Sequence, residues 1–296
     1  MRKDLDGLKS AIVGIDFSSS SKQALKTAAF LQNSGELKVG AHHIVDTHGI
    51  DELADALSVD KAELIEELRQ KGKERVQDWS NEVGFVPGPA YSSSIGDPAK
   101  ELISLGEEHD LLILGERGES HPGRGVGSVA VQCVRKSKGR VLLVNHGGEA
   151  VRFEKMVACV DFSPASSIVV REAVRLAEIY GAQIEFLHVY RAPWDRLHYR
   201  APTAEASPHF RREYLEMLQR QMDDCLTGVD YELHETVLHR SSSYGYGIAD
   251  YVRQSHADLV VLGTHGRSTL KELYLGSTAE RLLRELPCSV MTVRTG

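Results

Sequence analysis

Three glycines and a pair of hydroxyls in the last quarter of the chain have the spacing a phosphate cradle needs. The apolar run Leu259-Val-Val-Leu262 exits into Gly263-Thr264-His265-Gly266-Arg267, and nine residues after Gly266 come Gly276-Ser277-Thr278. Glycine has no Cβ to hold a ligand away and tolerates positive φ, so successive N–H groups there can converge on an anion. Ser277 and Thr278 open a segment that reads as a helix, and the free N–H groups and dipole at a helix start favour negative charge. His265 and Arg267 flank Gly266 with cationic groups suited to neutralising phosphate. A side chain at Gly276 is expected to fail twice, by meeting the phosphate and by blocking a positive-φ backbone.

These residues need a strand and a helix to hold them, and the chain supplies that frame twice. Ile12-Val-Gly-Ile-Asp16-Phe-Ser18 returns 145 residues later as Val157-Ala-Cys-Val-Asp161-Phe-Ser163, and His43-Ile-Val returns as His188-Val-Tyr. Asp110-Leu-Leu-Ile-Leu-Gly115 returns 148 residues later as Asp258-Leu-Val-Val-Leu-Gly263. Such a period is domain-sized, whereas solenoid units repeat every roughly 20–50 residues. The 296 residues therefore form two copies of one domain, 1–147 and 151–296, joined by a short polar hinge.

Each copy reads as strands alternating with helices, which calls for a parallel sheet covered on both faces. In the second half the strands are expected at Lys155–Val160, Ile184–Tyr190, Tyr231–Leu238, Leu259–Leu262 and Val290–Val293. The helices are expected from Ser163 to Tyr180, from Phe210 to Leu226 and from Ile248 to Ser255; the first half follows the same order, with Asp60–Val83 as its long helix. Right-handed crossovers make the sheet doubly wound, with ligands beyond the carboxyl ends of its strands. Asp161, Val189 and Gly263 all fall at such ends. The fold class is α/β, two doubly wound parallel-sheet domains. The apolar ends Val141–Val144 and Val290–Val293 lead us to expect the two to pack through their terminal strands with pseudo-two-fold symmetry.

Composition sets limits. Hydrophobic residues make up 42% and charged residues 26%, as in ordinary globular chains. The net charge of −7 is shared between the halves, so a nucleic-acid partner is not expected. No apolar run reaches ~18 residues and the N-terminus does not read as a signal peptide, which points to a cytoplasmic protein without membrane insertion. The four cysteines form no C-x-x-C pair and read as reduced structural thiols. His42, His43, Asp46 and His48 lack convincing zinc-ligand spacing, so no metal site is assigned.

Through these positions each half resembles a universal stress protein domain, and the chain looks like a tandem universal stress protein over essentially its whole length. The most specific element is that family's ATP-binding pattern, G-x2-G-x9-G-[ST], which Gly263, Gly266, Gly276 and Ser277 match without a gap. The resemblance implies a Rossmann-like sheet of order 3-2-1-4-5 and binding of ATP or another adenine nucleotide (AMP or ADP), with or without Mg²⁺. It further implies a role in stress or dormancy physiology, with protein partners that the residues do not identify, and domain pairing of the kind that gives dimers. By residue, it places Asp161 beside the nucleoside and Val189 against adenine through its backbone. Leu262 to Arg267, with Gly276, Ser277 and Thr278, would hold ribose and phosphates.

The first half departs from the pattern. Its matching positions are Asp16, Ile44, Gly115, Gly118, Gly127 and Ser128, but eight residues, not nine, separate Gly118 from Gly127. That stretch contains Pro122, which lacks a donor, and Glu116 and Glu119 add negative charge where phosphate would lie. Arg117, Arg124 and Gly125 offer a cradle in another register. The expectation is a degraded first site and a nucleotide held mainly by the second half. A nucleotide-sensing regulator leads the functional readings. The second reading is a slow ATPase or an ATP-dependent enzyme, for which there is no Walker Gly-Lys-[Ser/Thr] loop and no evident nucleophile–base pair. A ligand-free interaction protein is disfavoured by the intact second motif.

Overall fold

In the computed structural model the described residues are 7–34, 37–85, 91–118, 126–145, 153–196, 208–264 and 275–294. The chain divides into two compact units, Met1–Arg152 and Phe153–Gly296. In the first, strands β1 (Ser10–Ile15), β2 (Lys38–Asp46), β3 (Tyr91–Gly96), β4 (Leu111–Gly115) and β5 (Arg140–Val144) run parallel in the order β3-β2-β1-β4-β5. Helices α1 (Ser19–Ser34), α2 (Ile50–Leu57), α3 (Lys61–Glu82), α4 (Pro98–Glu108) and α5 (Ser128–Lys136) connect them.

The second unit repeats the plan with β6 (Lys155–Cys159), β7 (Gln183–Tyr190), β8 (His234–Arg240), β9 (Leu259–Gly263) and β10 (Ser289–Val293), in the order β8-β7-β6-β9-β10. Its helices are α6 (Ser166–Tyr180), α7 (Pro208–Cys225), α8 (Tyr244–Ser255) and α9 (Ser277–Glu285), with a 3₁₀ turn at Pro193–Arg196. The expected order 3-2-1-4-5 holds in each half. The central strands β1, β4 and β9 are buried along nearly their whole length because helices cover both faces, which is why they read as continuous apolar runs.

Two carboxylates tie the strand starts together opposite the site. Asp110 Oδ2 accepts from the Lys9 and Ser10 N–H groups at 3.1 and 3.0 Å, and Asp258 Oδ2 accepts from Glu154 and Lys155 N–H at 2.9 Å each. Helix starts follow capping chemistry: Asp60 caps α3 through Ala62 and Glu63, and Asp97 caps α4 through Ala99 and Lys100 with Pro98 in the first turn.

Three element starts differ from expectation by three or more residues, and one helix is additional. Helix α6 begins at Ser166, not Ser163, because Asp161 holds Ser163 in a turn. Strand β8 begins at His234, not Tyr231; the Tyr231 hydroxyl donates to the Ala177 and Ala182 carbonyls, which anchors that residue outside the sheet. Helix α8 begins at Tyr244, four residues early, and runs through Gly245 and Gly247. A Cβ at Gly247 would lie 2.8 Å from Val189 Cγ1 and one at Gly245 2.8 Å from Arg281 Cβ, so both glycines serve close packing. The short helix α2 was not expected; Ile50 and Ala54 seat it on Leu64 of α3.

Candidate functional site

The sharp turn after the first strand of each half is built by one aspartate. Asp161 Oδ1 accepts from Ser163 N–H (3.0 Å), Ser163 Oγ (2.6 Å) and Ser166 Oγ (2.9 Å). Asp16 Oδ1 accepts from Ser18 N–H (3.0 Å) and Ser18 Oγ (2.6 Å). The phenylalanine that follows is forced into the left-handed region, φ 60° at Phe162 and 64° at Phe17. For a bulky residue this costs about 1–2 kcal/mol, which the aspartate's bonds and a ring contact offset. Phe162 stacks on His188 at 3.9 Å, and Phe17 lies 4.6 Å from His43.

Those two histidines are structural. Nδ1 of His188 bonds the Val160 carbonyl at 2.7 Å, and Nδ1 of His43 bonds the Ile15 carbonyl at 2.8 Å. Burial holds the His43 pKa below its usual value, against the opposing pull of that carbonyl and of Asp16. His42 points the other way, between Ser92 Oγ (2.5 Å) and Ser94 Oγ (2.9 Å), and burial, helped by His43, lowers its pKa to about 4. His42 and His43 thus face opposite sides of the sheet and cannot share a metal with Asp46 and His48. Among the described residues no group of three or more His, Cys, Asp or Glu side chains could hold one.

The glycine-rich turns close in the same way in both halves. Thr264 N–H donates to Val293 O (3.0 Å) and Gly276 N–H returns to Thr264 O (3.0 Å); in the first half Glu116 N–H donates to Val144 O (3.1 Å) and Gly127 N–H to Glu116 O (2.7 Å). Gly276 and Gly127 are the N-cap residues of α9 and α5, at φ −59° and −63°, with no side-chain cap. The expected positive φ at Gly276 is therefore overturned: the backbone there is one any residue adopts. Among the described residues a Cβ on Gly276 would meet only Thr264 O, at 3.4 Å, an ordinary contact.

Two cavities lie at these strand ends. The second-half cavity measures about 510 Å³, inside the roughly 300–1,000 Å³ range of ligand pockets. Asp161, Val189, Leu262, Gly263 and Thr264 line it, as do Gly276, Ser277 and Thr278 at the start of α9. His265, Gly266 and Arg267 lie outside the described residues. The first-half cavity measures about 410 Å³ and is lined by Asp16, Ile44, Gly115, Gly118, Gly127 and Ser128. Pro122, Glu119, Arg124 and Gly125 lie outside the described residues.

What distinguishes the cavities at the described positions is charge and an extra wall. Glu116 lines the first, 2% exposed and paired with Arg117 at 2.8 Å, where the second has Thr264. Asp46 lines the first where Arg191, at the repeat offset, lines the second. A Cβ on Gly118 would meet Asp16 Oδ2 at 2.7 Å, so a carboxylate oxygen already lies against the first glycine turn. Tyr214, Met217, Leu218 and Gln221 of α7 add a wall to the second cavity, and Tyr244 sits at the start of α8; α3 contributes no lining residue to the first. Sequence reading missed that wall, although the 214, 217, 218, 221 spacing puts these side chains on one helix face. Cys159 also lines the second cavity, but burial, with Asp161 adding to it, pushes its thiol up to about 12, so it is no nucleophile near neutral pH. None of the four cysteines is in a disulfide.

Comparison with known proteins follows the same division. The family model described as "Universal stress protein family" matches twice, at residues 7–145 and 152–294. A universal stress protein of Mycolicibacterium smegmatis is 24% identical over 292 residues, covering 96% of each chain. One from Thermus aquaticus is 28% identical over 142 residues, covering 48% of this chain and 99% of its own. Among solved structures, a universal stress protein from Archaeoglobus fulgidus superposes with a TM-score of 0.67 at 18% identity, covering 97% of this chain and 98% of that one.

Proposed function

From the premise that this chain belongs to the universal stress protein family, as a tandem of two of its domains, we propose that it binds an adenine nucleotide, ATP first, in the second-half cavity. The observation that carries this reading is Gly276. Its backbone needs no glycine and the described residues around it leave space for a Cβ, yet it caps α9 where Ser277 and Thr278 open onto the cavity. A bare backbone at a helix start facing a cavity suits an anion that must come close to the N–H groups. Phosphates lie there, across from Gly263 and Thr264, and the nucleoside extends toward Asp161 and Val189. Arg191 adds positive charge to the lining, while in the first cavity Arg117 is spent on Glu116 and Asp46 adds a negative charge, which disfavours a phosphate chain.

Nucleotide occupancy would act as a signal in stress physiology, with catalysis absent or slow. Among the described residues Asp161 is the single carboxylate lining the second cavity, and its Oδ1 is committed to three donors. Phosphoryl transfer needs a held metal, a positioned nucleophile and charge stabilisation together. Turnover is expected far below ~1 s⁻¹, the low end for ordinary enzymes. Mass spectrometry of small molecules released by denaturing freshly purified protein tests the reading. An adenine nucleotide near one per chain is expected. Its absence, together with no uptake of added ATP, contradicts the proposal.

A further inference from the structure

We propose that the α7 side of the second cavity is a compartment of its own, which takes a planar aromatic group of a small molecule beside the nucleotide. The proposal rests on the nucleotide reading only for what occupies the glycine end.

Helix α7 turns Tyr214, Met217, Leu218 and Gln221 to the cavity that Phe162 and Tyr190 also line. The wall is braced from behind. Trp194, 4% exposed, packs edge-on against Tyr214 at 5.5 Å, and Tyr190, itself on the lining, lies 5.9 Å from Tyr214. Met217 stands at the rim, 38% exposed. Aromatic rings with a polarisable thioether favour a flat, apolar guest over a hydrated one.

The first half shows what this place can hold. Its Asp-Phe-Ser turn has the same strained phenylalanine, but there the chain fills the space itself. Helix α3 comes down onto β2 at Gly72, where a Cβ would lie 2.6 Å from His43 Cδ2. That approach lays the planar Arg75 guanidinium 4.2 Å over the Phe17 ring, with Trp79 edge-on to the same ring at 5.4 Å. In the second half α7 lines a cavity at the corresponding place. Arg191 on its lining disfavours a second cation, so the flat guest expected there is an uncharged aromatic ring and not a guanidinium.

The test titrates the nucleotide-stripped full chain with 8-anilinonaphthalene-1-sulfonate by fluorescence and with ATP by calorimetry. One saturable probe site is expected, weakened about tenfold or more by Met217→Trp, which fills the compartment. Leu215→Trp is the control: the same helix, the same 38% exposure, but not on the cavity. It should change probe affinity less than about twofold. Met217→Gln, which keeps the side-chain length, should weaken the probe several-fold even if the tryptophan variant misfolds. Met217→Trp should keep its ATP affinity, and Gly276→Val should lose ATP while keeping the probe. Probe binding indifferent to both Met217 variants would overturn the proposal, as would joint loss of both ligands in each variant. Met217-dependent probe binding without any ATP binding would sustain the compartment and sink the nucleotide reading instead.

Discussion

The turns after β4 and β9 make the same two backbone hydrogen bonds, within a few tenths of an ångström, and end in the same glycine-capped helix start. Their spacing differs by one residue, yet both glycine pairs that are described close on a cavity. At the described residues the two turns share one backbone path. The separation lies in side chains: Glu116 against Thr264, Asp46 against Arg191, and a long helix that presses onto β2 in one half and lines a cavity in the other. Two copies of one domain can keep a backbone turn and diverge in the side chains that line it. Backbone geometry is held by the sheet, whereas lining residues are released from the core's packing constraints.

The largest effect expected on stability tests the helix contrast. Gly72→Val would drive two methyls into His43 and lift α3 from β2, costing about 3 kcal/mol by overpacking. Thermal unfolding should show the loss, and a neutral result would mean that α3 is not held close by Gly72. Where the halves agree, the effect should be shared. Asp110→Ala and Asp258→Ala each remove charge-assisted bonds to two backbone N–H groups and should each cost about 2–3 kcal/mol. A large effect in one half and none in the other, by denaturant titration, would break the equivalence of the two frames.

A smaller, pH-dependent difference comes from His42, where the repeat offset puts Leu187 in the second half. Its pKa is lowered to about 4 in the folded protein, so the unfolded chain takes up the proton more readily. The stability it supplies is present above pH ~6.5 and is lost as pH falls from there toward 4, amounting to about 2 kcal/mol by pH 5. Denaturation midpoints from pH 7 to pH 5 in the wild type and His42→Gln check the sign. The variant should be less stable at pH 7 and lose less on acidification; an equal loss in both would remove His42 from the account.

The frame was legible because burial on both faces writes each strand as an apolar run, and because a repeat read twice fixes boundaries that one copy leaves loose. Asp161, Gly263 and Gly276 were legible because they sit at strand and helix ends where the topology places ligands. The early start of α8 was not, since Gly245 and Gly247 argue against a helix until Val189 and Arg281 are seen beside them. Of the two grounds expected for Gly276, a close phosphate and a positive φ, the second fails: its φ is ordinary. The α7 wall escaped because Tyr214, Met217 and Leu218 have the spacing of core residues, and only the tertiary position of the helix shows that they face a cavity. The exchange of Asp46 for Arg191 was available in the repeat offset and needed only the two copies aligned past the strand end.

Calorimetric titration of ATP into nucleotide-stripped wild type, Gly276→Val and Gly127→Val tests the central assignment most directly. The account predicts one site per chain, weakened about 10²-fold or more in Gly276→Val with the fold intact, and nearly unchanged in Gly127→Val. Two equivalent sites, or loss of binding through Gly127→Val alone, would contradict it.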